Sequence, residues 1–203
     1  MRFLNMNDLQ HLRRTKLAGM QRIGSGSFAT VFAGAPDSGT VMKVTTDQMA
    51  YWYSADQLWL DVRSRVARHF PTLVEDFGEV GESRGASAYL VEMERLQPVS
   101  LTCHRRIIAK WIREWDKFRR ESVLPRGRSD VLAGRATDFC QMKAESDDPY
   151  APVFEELVYF FSNYGSTLDL KLSNFMERPS TGELVFNDIV FNYLDLERRS
   201  RVH

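Results

Sequence analysis

The sequence predicts an α+β protein of two lobes: a five-stranded antiparallel lobe, then a short and mainly helical one. Two observations carry this. Up to Pro98 the chain gives five β-rich runs interrupted by a single helix-period segment, and after Ser100 the apolar spacing turns helical. At 203 residues and 43% hydrophobic, it has enough apolar material to bury a core across both lobes.

Residues 1–20 place Leu4, Met6, Leu9, Leu12 and Leu17 among polar neighbours, which predicts a short amphipathic helix. From Met20 to Val44, glycines and the Pro36-Asp37 and Ser38-Gly39 turns punctuate three strands of a meander. Residues 47–68 lack Gly and Pro, and Trp52, Ala55, Trp59, Val62 and Val66 step by three and four, so a helix is predicted there, ended by His69-Phe70-Pro71. Strands follow at Leu73–Val80 and Ala86–Met93 around a Gly81–Gly85 turn, and the first lobe closes near Pro98, giving domains 1–98 and 99–203.

In the second lobe, His104–Arg120 is a helix with Ile107, Ile108, Trp111, Ile112, Trp115 and Phe118 as its apolar stripe. Residues 122–150 carry no clear period. Val153–Tyr164 is helical, with its start near Pro152. Leu168–Phe175 reads as a loop, and Glu183–Phe191 as the second half of a hairpin turning at Thr181-Gly182.

Composition narrows the function classes. The 27 basic and 27 acidic side chains cancel, so no global field favours nucleic acid. Cys103 and Cys140 are far apart and lack CxxC spacing, which speaks against a zinc site or disulfide framework. With no secretory leader and no apolar run near the ~20 residues that span a bilayer, a soluble cytoplasmic protein is expected.

Four features carry chemistry. In Ile23-Gly24-Ser25-Gly26-Ser27-Phe28, the two glycines allow backbone N–H groups to approach phosphate oxygens, although such a turn also occurs in ordinary hairpins. Lys43 lies inside the apolar run Val41-Met42-Lys43-Val44, where burial is costly unless the ammonium meets anions; the alternative is a lysine pointing to solvent. Asp169-Leu170-Lys171-Leu172-Ser173-Asn174 supplies a carboxylate to accept or orient a hydroxyl proton, a lysine to neutralise transferred charge, and an amide oxygen. Asp188 adds a second carboxylate, so Asn174 and Asp188 make a hard-oxygen pair suited to Mg²⁺; a polar loop that merely caps helices is the alternative.

Taken in order, GSGSFATVF, VMKV, DLKLSN and Asp188 resemble the glycine-rich loop, third-strand lysine, catalytic loop and metal-binding aspartate of the eukaryotic-like serine/threonine protein kinase superfamily. The resemblance implies a protein-kinase-like fold with ATP and Mg²⁺ as cofactors. It implies that Gly24, Ser25, Gly26, Ser27, Phe28, Val31 and Lys43 contact the nucleotide, with Met93 behind the adenine and the backbone of Glu94 and Leu96 bonding it. It further implies Asp169 and Lys171 as catalytic residues and Asn174 and Asp188 as metal ligands. The helix of the first lobe has no glutamate, so Asp56, with Asp61 as the alternative, is the acid expected to pair with Lys43.

The sequence departs from the family pattern at Ala29, where a third glycine is usual, and at Thr167-Leu168, where His-Arg is usual. Asp188-Ile189-Val190 replaces Asp-Phe-Gly. Only fifteen residues follow Asp188, so the helical lobe is expected to be minimal and to lack an activation segment. In this it resembles the small protein kinases of bacteriophages, which implies protein substrates in a bacterial host, no membrane and no specific nucleic acid, and leaves an oligomer open. Two other classes stay open: a catalytically inert kinase-like protein that binds a host partner, and a small-molecule phosphotransferase.

The helix at 104–120 also carries Arg105, Arg106, Lys110, Arg113, Lys117, Arg119 and Arg120, read first as a solvated face and second as a surface for nucleic acid or an acidic partner. The paired tryptophans Trp52/Trp59 and Trp111/Trp115 are read as packing residues rather than base-stacking platforms.

Overall fold

A computed structural model of the chain describes residues 15–55, 66–83, 85–121 and 129–192. These fall into two compact units, one within Met1–Asp56 and Pro71–Arg95, the other within Gln57–Phe70 and Leu96–His203.

The first unit is the expected five-stranded antiparallel sheet. Its strands are β1 (Arg22–Ser25), β2 (Ala29–Ala33), β3 (Thr40–Thr45), β4 (Leu73–Ser83) and β5 (Ala86–Glu94), in the order β1-β2-β3-β5-β4. Strand alternation divides its apolar residues between two faces. Met42 packs with Leu17, Val80, Ala88 and Leu90 on one; Val41, Val91 and Met93 meet Tyr51 and Ala55 on the other. Tyr51 and Ala55 come from helix α1 (Gln48–Ala55), which begins because Asp47 Oδ1 accepts the Met49 and Ala50 N–H groups at 2.8 and 3.0 Å. The rest of the helix expected over 47–68, through residue 65, and the part of the N-terminal helix expected before Thr15 lie outside the described residues.

The second unit holds α2 (Thr102–Glu121), α3 (Ser129–Ala144) and α4 (Ala151–Tyr164). Helix α4 takes Pro152 in its first turn, buries Val153, Phe154, Leu157, Phe160 and Phe161, and stops at Gly165, whose φ of 60° is the left-handed conformation of a helix C-cap. Two small sheets accompany the helices: β6 (Gln97–Pro98), β8 (Phe175–Glu177) and β9 (Leu184–Phe186), and the pair β7 (Thr167–Leu168) with β10 (Val190–Phe191). Ala67–His69 forms one 3-10 turn and joins this unit: His69 Nδ1 lies 2.8 Å from the Leu184 carbonyl, and Arg178 donates to the carbonyls of Arg68 and Phe70.

Three expectations need correcting. Residues 183–191 are not one hairpin strand: β9 ends at Phe186 and Val190–Phe191 pairs with Thr167–Leu168. The cause is the bend at Asn187-Asp188, whose two N–H groups both donate to the Asn174 carbonyl at 3.0 Å and so turn the chain out of the hairpin. The stretch 168–175 is more than a loop, holding part of β7, a 3-10 turn at Leu172–Asn174 and the start of β8. Within 122–150 lies a full helix, α3.

One buried acid organises the entry to α2. Glu177, fully shielded from solvent, accepts the Ser100 N–H and hydroxyl, the Leu101 N–H and a contact from His104 Nδ1 at 2.9 Å. Burial alone raises its pKa, but the hydrogen bonds from Ser100, Leu101 and His104 outweigh it and lower the group from 4.5 to about 2. The stabilisation is therefore complete above about pH 4.5 and is lost as pH falls toward 2. Glu177→Gln is expected to cost roughly 3 kcal/mol at pH 7, because donors are left without a charged acceptor. Urea unfolding at pH 7 and pH 3 should show that cost shrinking at the lower pH; an equal loss at both would refute it.

Candidate active site

The sheet unit presents the glycine turn and Lys43. Gly26 N–H donates to the Ala29 carbonyl at 2.8 Å, closing the turn, and the Phe28 carbonyl is held by the Thr46 N–H at 2.8 Å. Ser25 and Ser27 are exposed and Phe28 half-buried. The fold itself does not require these glycines. Neither Gly24 nor Gly26 has a positive φ, a Cβ at Gly26 meets nothing within 4 Å, and one at Gly24 meets only Val31 Cβ at 3.8 Å. Free space beside a backbone turn that is built from glycine suits the close approach of an anionic ligand. Gly26→Ala is therefore expected to leave stability within about 0.5 kcal/mol of the parent while weakening the binding of a phosphate-bearing nucleotide several-fold. Thermal unfolding beside nucleotide binding checks this; equal sensitivity of both would point to a purely structural glycine.

Lys43 is 3% exposed and is paired in register with Val31 on one side and Val91 on the other, so its stem lies along aliphatic neighbours on the face that carries Val41 and α1. That is the buried position, not the solvent-facing alternative. Asp56 and Asp61, the acids expected to pair with it, lie outside the described residues. Met93 is buried beside Val41 and Val91. The Glu94 N–H donates to the Thr72 carbonyl at 3.0 Å, and its carboxylate accepts the Thr72 N–H at 2.9 Å. Leu96, half-buried, belongs to the other unit.

The helical unit brings Asp169, Lys171, Asn174 and Asp188 together. The β7–β10 pair continues into a hydrogen bond from the Asp169 N–H to the Ile189 carbonyl at 2.7 Å, which sets Asp169 beside the 188–189 segment. From the other side, the Asn174 carbonyl takes the Asn187 and Asp188 N–H groups. The Asn174 amide donates from Nδ2 to the Asp169 carbonyl at 2.8 Å and to Asp169 Oδ2 at 2.9 Å, while Lys171 Nζ sits 2.6 Å from the same Oδ2. Asp169 Oδ1 has no hydrogen-bond partner among the described residues, and the carboxylate is about one-third exposed. One oxygen is thus fixed and the other offered.

The donor chemistry fits Mg²⁺. With Nδ2 turned to Asp169, the Asn174 Oδ1 has as its only hydrogen-bond partner among the described residues the Ser173 hydroxyl, at 3.5 Å, and Asp188 is half-buried at the adjacent bend. Oxygen donors of this kind, one of them anionic, are what a hard cation accepts.

Sequence reasoning missed the support of this cluster. Phe175 and Phe186 are directly paired across β8 and β9, with rings 5.1 Å apart, and each immediately adjoins the site: Phe175 follows Asn174 and Phe186 precedes Asn187-Asp188. Both rings rest on Trp111. The only sign in the sequence is a phenylalanine flanking each polar pair.

No family model and no curated protein matches this chain. Among solved structures it is similar to the streptomycin–ATP–APH(2″)-IIa ternary complex, with a TM-score of 0.33 and 14% identity over 95% of this chain and 75% of that one. It is also similar to the Mycobacterium tuberculosis PknI kinase domain, with a TM-score of 0.28 and 16% identity over 85% of this chain and 60% of that one. No helix among the described residues is long and apolar enough to cross a membrane.

Proposed function

We propose that this protein is an ATP- and Mg²⁺-dependent phosphotransferase that phosphorylates serine or threonine hydroxyls of proteins, its substrates being proteins of a bacterial host cytoplasm. The observation that carries the reading is the Asp169 carboxylate: Oδ2 is pinned by Lys171 and Asn174, and Oδ1 is left for a substrate hydroxyl. The exposed side chain of Lys171 supports a protein acceptor, as its ammonium holds Asp169 at 2.6 Å while staying open to solvent, where a polypeptide can approach.

In this mechanism the glycine turn offers backbone N–H groups to phosphate oxygens, and Lys43 offers a buried ammonium whose own desolvation favours an anionic ligand. Asp169 orients the acceptor hydroxyl and receives its proton as the hydroxyl oxygen bonds to the γ-phosphorus and the bond to ADP breaks. Lys171 neutralises charge on the transferred group and keeps Asp169 in place. Asn174 and Asp188 would hold Mg²⁺, which when bound shields the phosphate charge.

The test is transfer of labelled γ-phosphate to the proteins of a bacterial lysate and, separately, to its small-molecule fraction. Labelled protein that is lost in Asp169→Ala and Asp188→Ala is the expected result. Label confined to small molecules would convert the reading to a metabolite phosphotransferase; label retained in both variants would refute the mechanism.

A further inference from the structure

Helix α2 carries a line of charge that the catalytic cluster does not use. Arg106, Lys110, Arg113, Lys117 and Arg120 follow one another by four, three, four and three residues, and all five are exposed. At 100° per residue they fall within a sector about 80° wide, roughly opposite the buried Ile108, Trp111 and Trp115. The helix's three acids stand outside that sector. Glu114 and Glu121 lie on one flank and pair with Lys110 and Lys117; Asp116 lies on the other and pairs with Arg119. Among the described residues, Arg106 and Arg113 have no carboxylate partner. The ridge is local, since the whole chain has 27 basic and 27 acidic residues.

We propose that this ridge docks an acidic, extended segment of the protein substrate, an inference that rests on the protein-kinase reading above. The spacing selects the ligand. Arg106, Arg113 and Arg120 repeat every two helical turns, about 10.5 Å, and carboxylates on every third residue of an extended polyproline-II chain lie on one face and repeat at about 9 Å. The width selects it as well. A polyphosphate needs a broad basic field or aromatic platforms, but here acids border the ridge on both sides and Trp111 and Trp115 are buried. Placement links it to the chemistry, because α2 packs against the Leu172–Asn174 turn of the catalytic loop within the same unit. A segment held on the outer face of α2 is therefore tethered to the same unit as Asp169.

The test is fluorescence anisotropy with the full chain, without ATP or Mg²⁺. The probe is a labelled peptide bearing glutamate at every third position and lacking Ser, Thr and Tyr, with its glutamine counterpart as control. The glutamate peptide is expected to bind at least tenfold more tightly at low salt, and to weaken steeply between 50 and 300 mM salt, by roughly tenfold. Arg106→Gln/Arg113→Gln/Arg120→Gln should lose that preference, while its far-ultraviolet circular dichroism and melting temperature match the parent. Retained preference in the triple variant, equal affinity for the glutamine peptide, or tighter binding of a single-stranded DNA probe would each overturn the proposal. Because no phosphate is transferred, failure here leaves the kinase reading standing, and an inert enzyme could still pass.

Discussion

Asp188→Asn is expected to reduce phosphoryl transfer on the order of 10³-fold while the helical unit stays folded. The substitution is nearly isosteric, and what fixes the bend is main-chain: the N–H groups of Asn187 and Asp188 on the Asn174 carbonyl, and the Asp169 N–H on the Ile189 carbonyl. None of these three bonds depends on the side chain at 188. What changes is one negative charge on a half-buried oxygen donor, the property a Mg²⁺ ligand needs and an amide supplies poorly. Asp169→Asn should fail differently. It removes the acceptor for the hydroxyl proton and the anion that holds Lys171 at 2.6 Å, so excess Mg²⁺ should not restore it, whereas it should partly restore Asp188→Asn. Rates at saturating ATP over a Mg²⁺ series check both. An Asp188→Asn enzyme within tenfold of the parent at low Mg²⁺ would remove Asp188 from the metal site.

The parts of this protein that could be read in advance are those whose cause is local. The strands β1 to β5 announce themselves by β-rich runs and glycine turns, and Asp169, Lys171, Asn174 and Asp188 by residue type and spacing. The parts that escaped depend on distant partners. Helix α3 buries Ala136, Phe139, Cys140 and Lys143, a proper i, i+3, i+4, i+7 stripe with a lysine in its last slot. That lysine is tolerated because Asp148 lies 2.6 Å and Glu114 3.0 Å from its Nζ, neither recognisable as a partner from the sequence. Burial works against the charge on Asp148, yet the hydrogen bonds from Lys143 and Trp111 hold its pKa below the usual value, so the pair remains ionised. Glu177 escaped for the same reason: its donors come from residues 100–104. The run Glu183–Phe191 reads as the second half of one hairpin because apolar residues stand on both sides of Asn187-Asp188, and only the Asn174 carbonyl, ten residues upstream of Leu184, reveals why it bends at 187–188.

Trp111→Ala is expected to be among the most damaging single substitutions to stability, at about 4 kcal/mol, a large share of the roughly 5–15 kcal/mol that holds a typical domain folded. The indole is fully buried, with Tyr150, Phe154 and Phe186 each at 5.3 Å and Phe175 at 5.8 Å, ring centroid to centroid. Its Nε1 donates to Asp148 Oδ2 at 2.8 Å, the same oxygen that Lys143 holds. Removing the ring opens a cavity under four aromatics and takes a hydrogen bond from a buried carboxylate, two separate penalties. Trp111→Phe separates them, keeping most of the packing and losing the donor, and should cost about 1–2 kcal/mol. The effect reaches the site because Phe175 and Phe186 lean on this ring and are the residues next to Asn174 and Asn187-Asp188. Activity per folded molecule should therefore fall in Trp111→Ala under conditions where most of the protein is still native, and much less in Trp111→Phe. Urea unfolding followed by circular dichroism, with activity measured well below the transition, distinguishes the outcomes. If Trp111→Ala lay within 1 kcal/mol of the parent, or lost stability without loss of activity per folded molecule, the aromatic cluster would be a core alone and not the platform that positions Asn174 and Asp188.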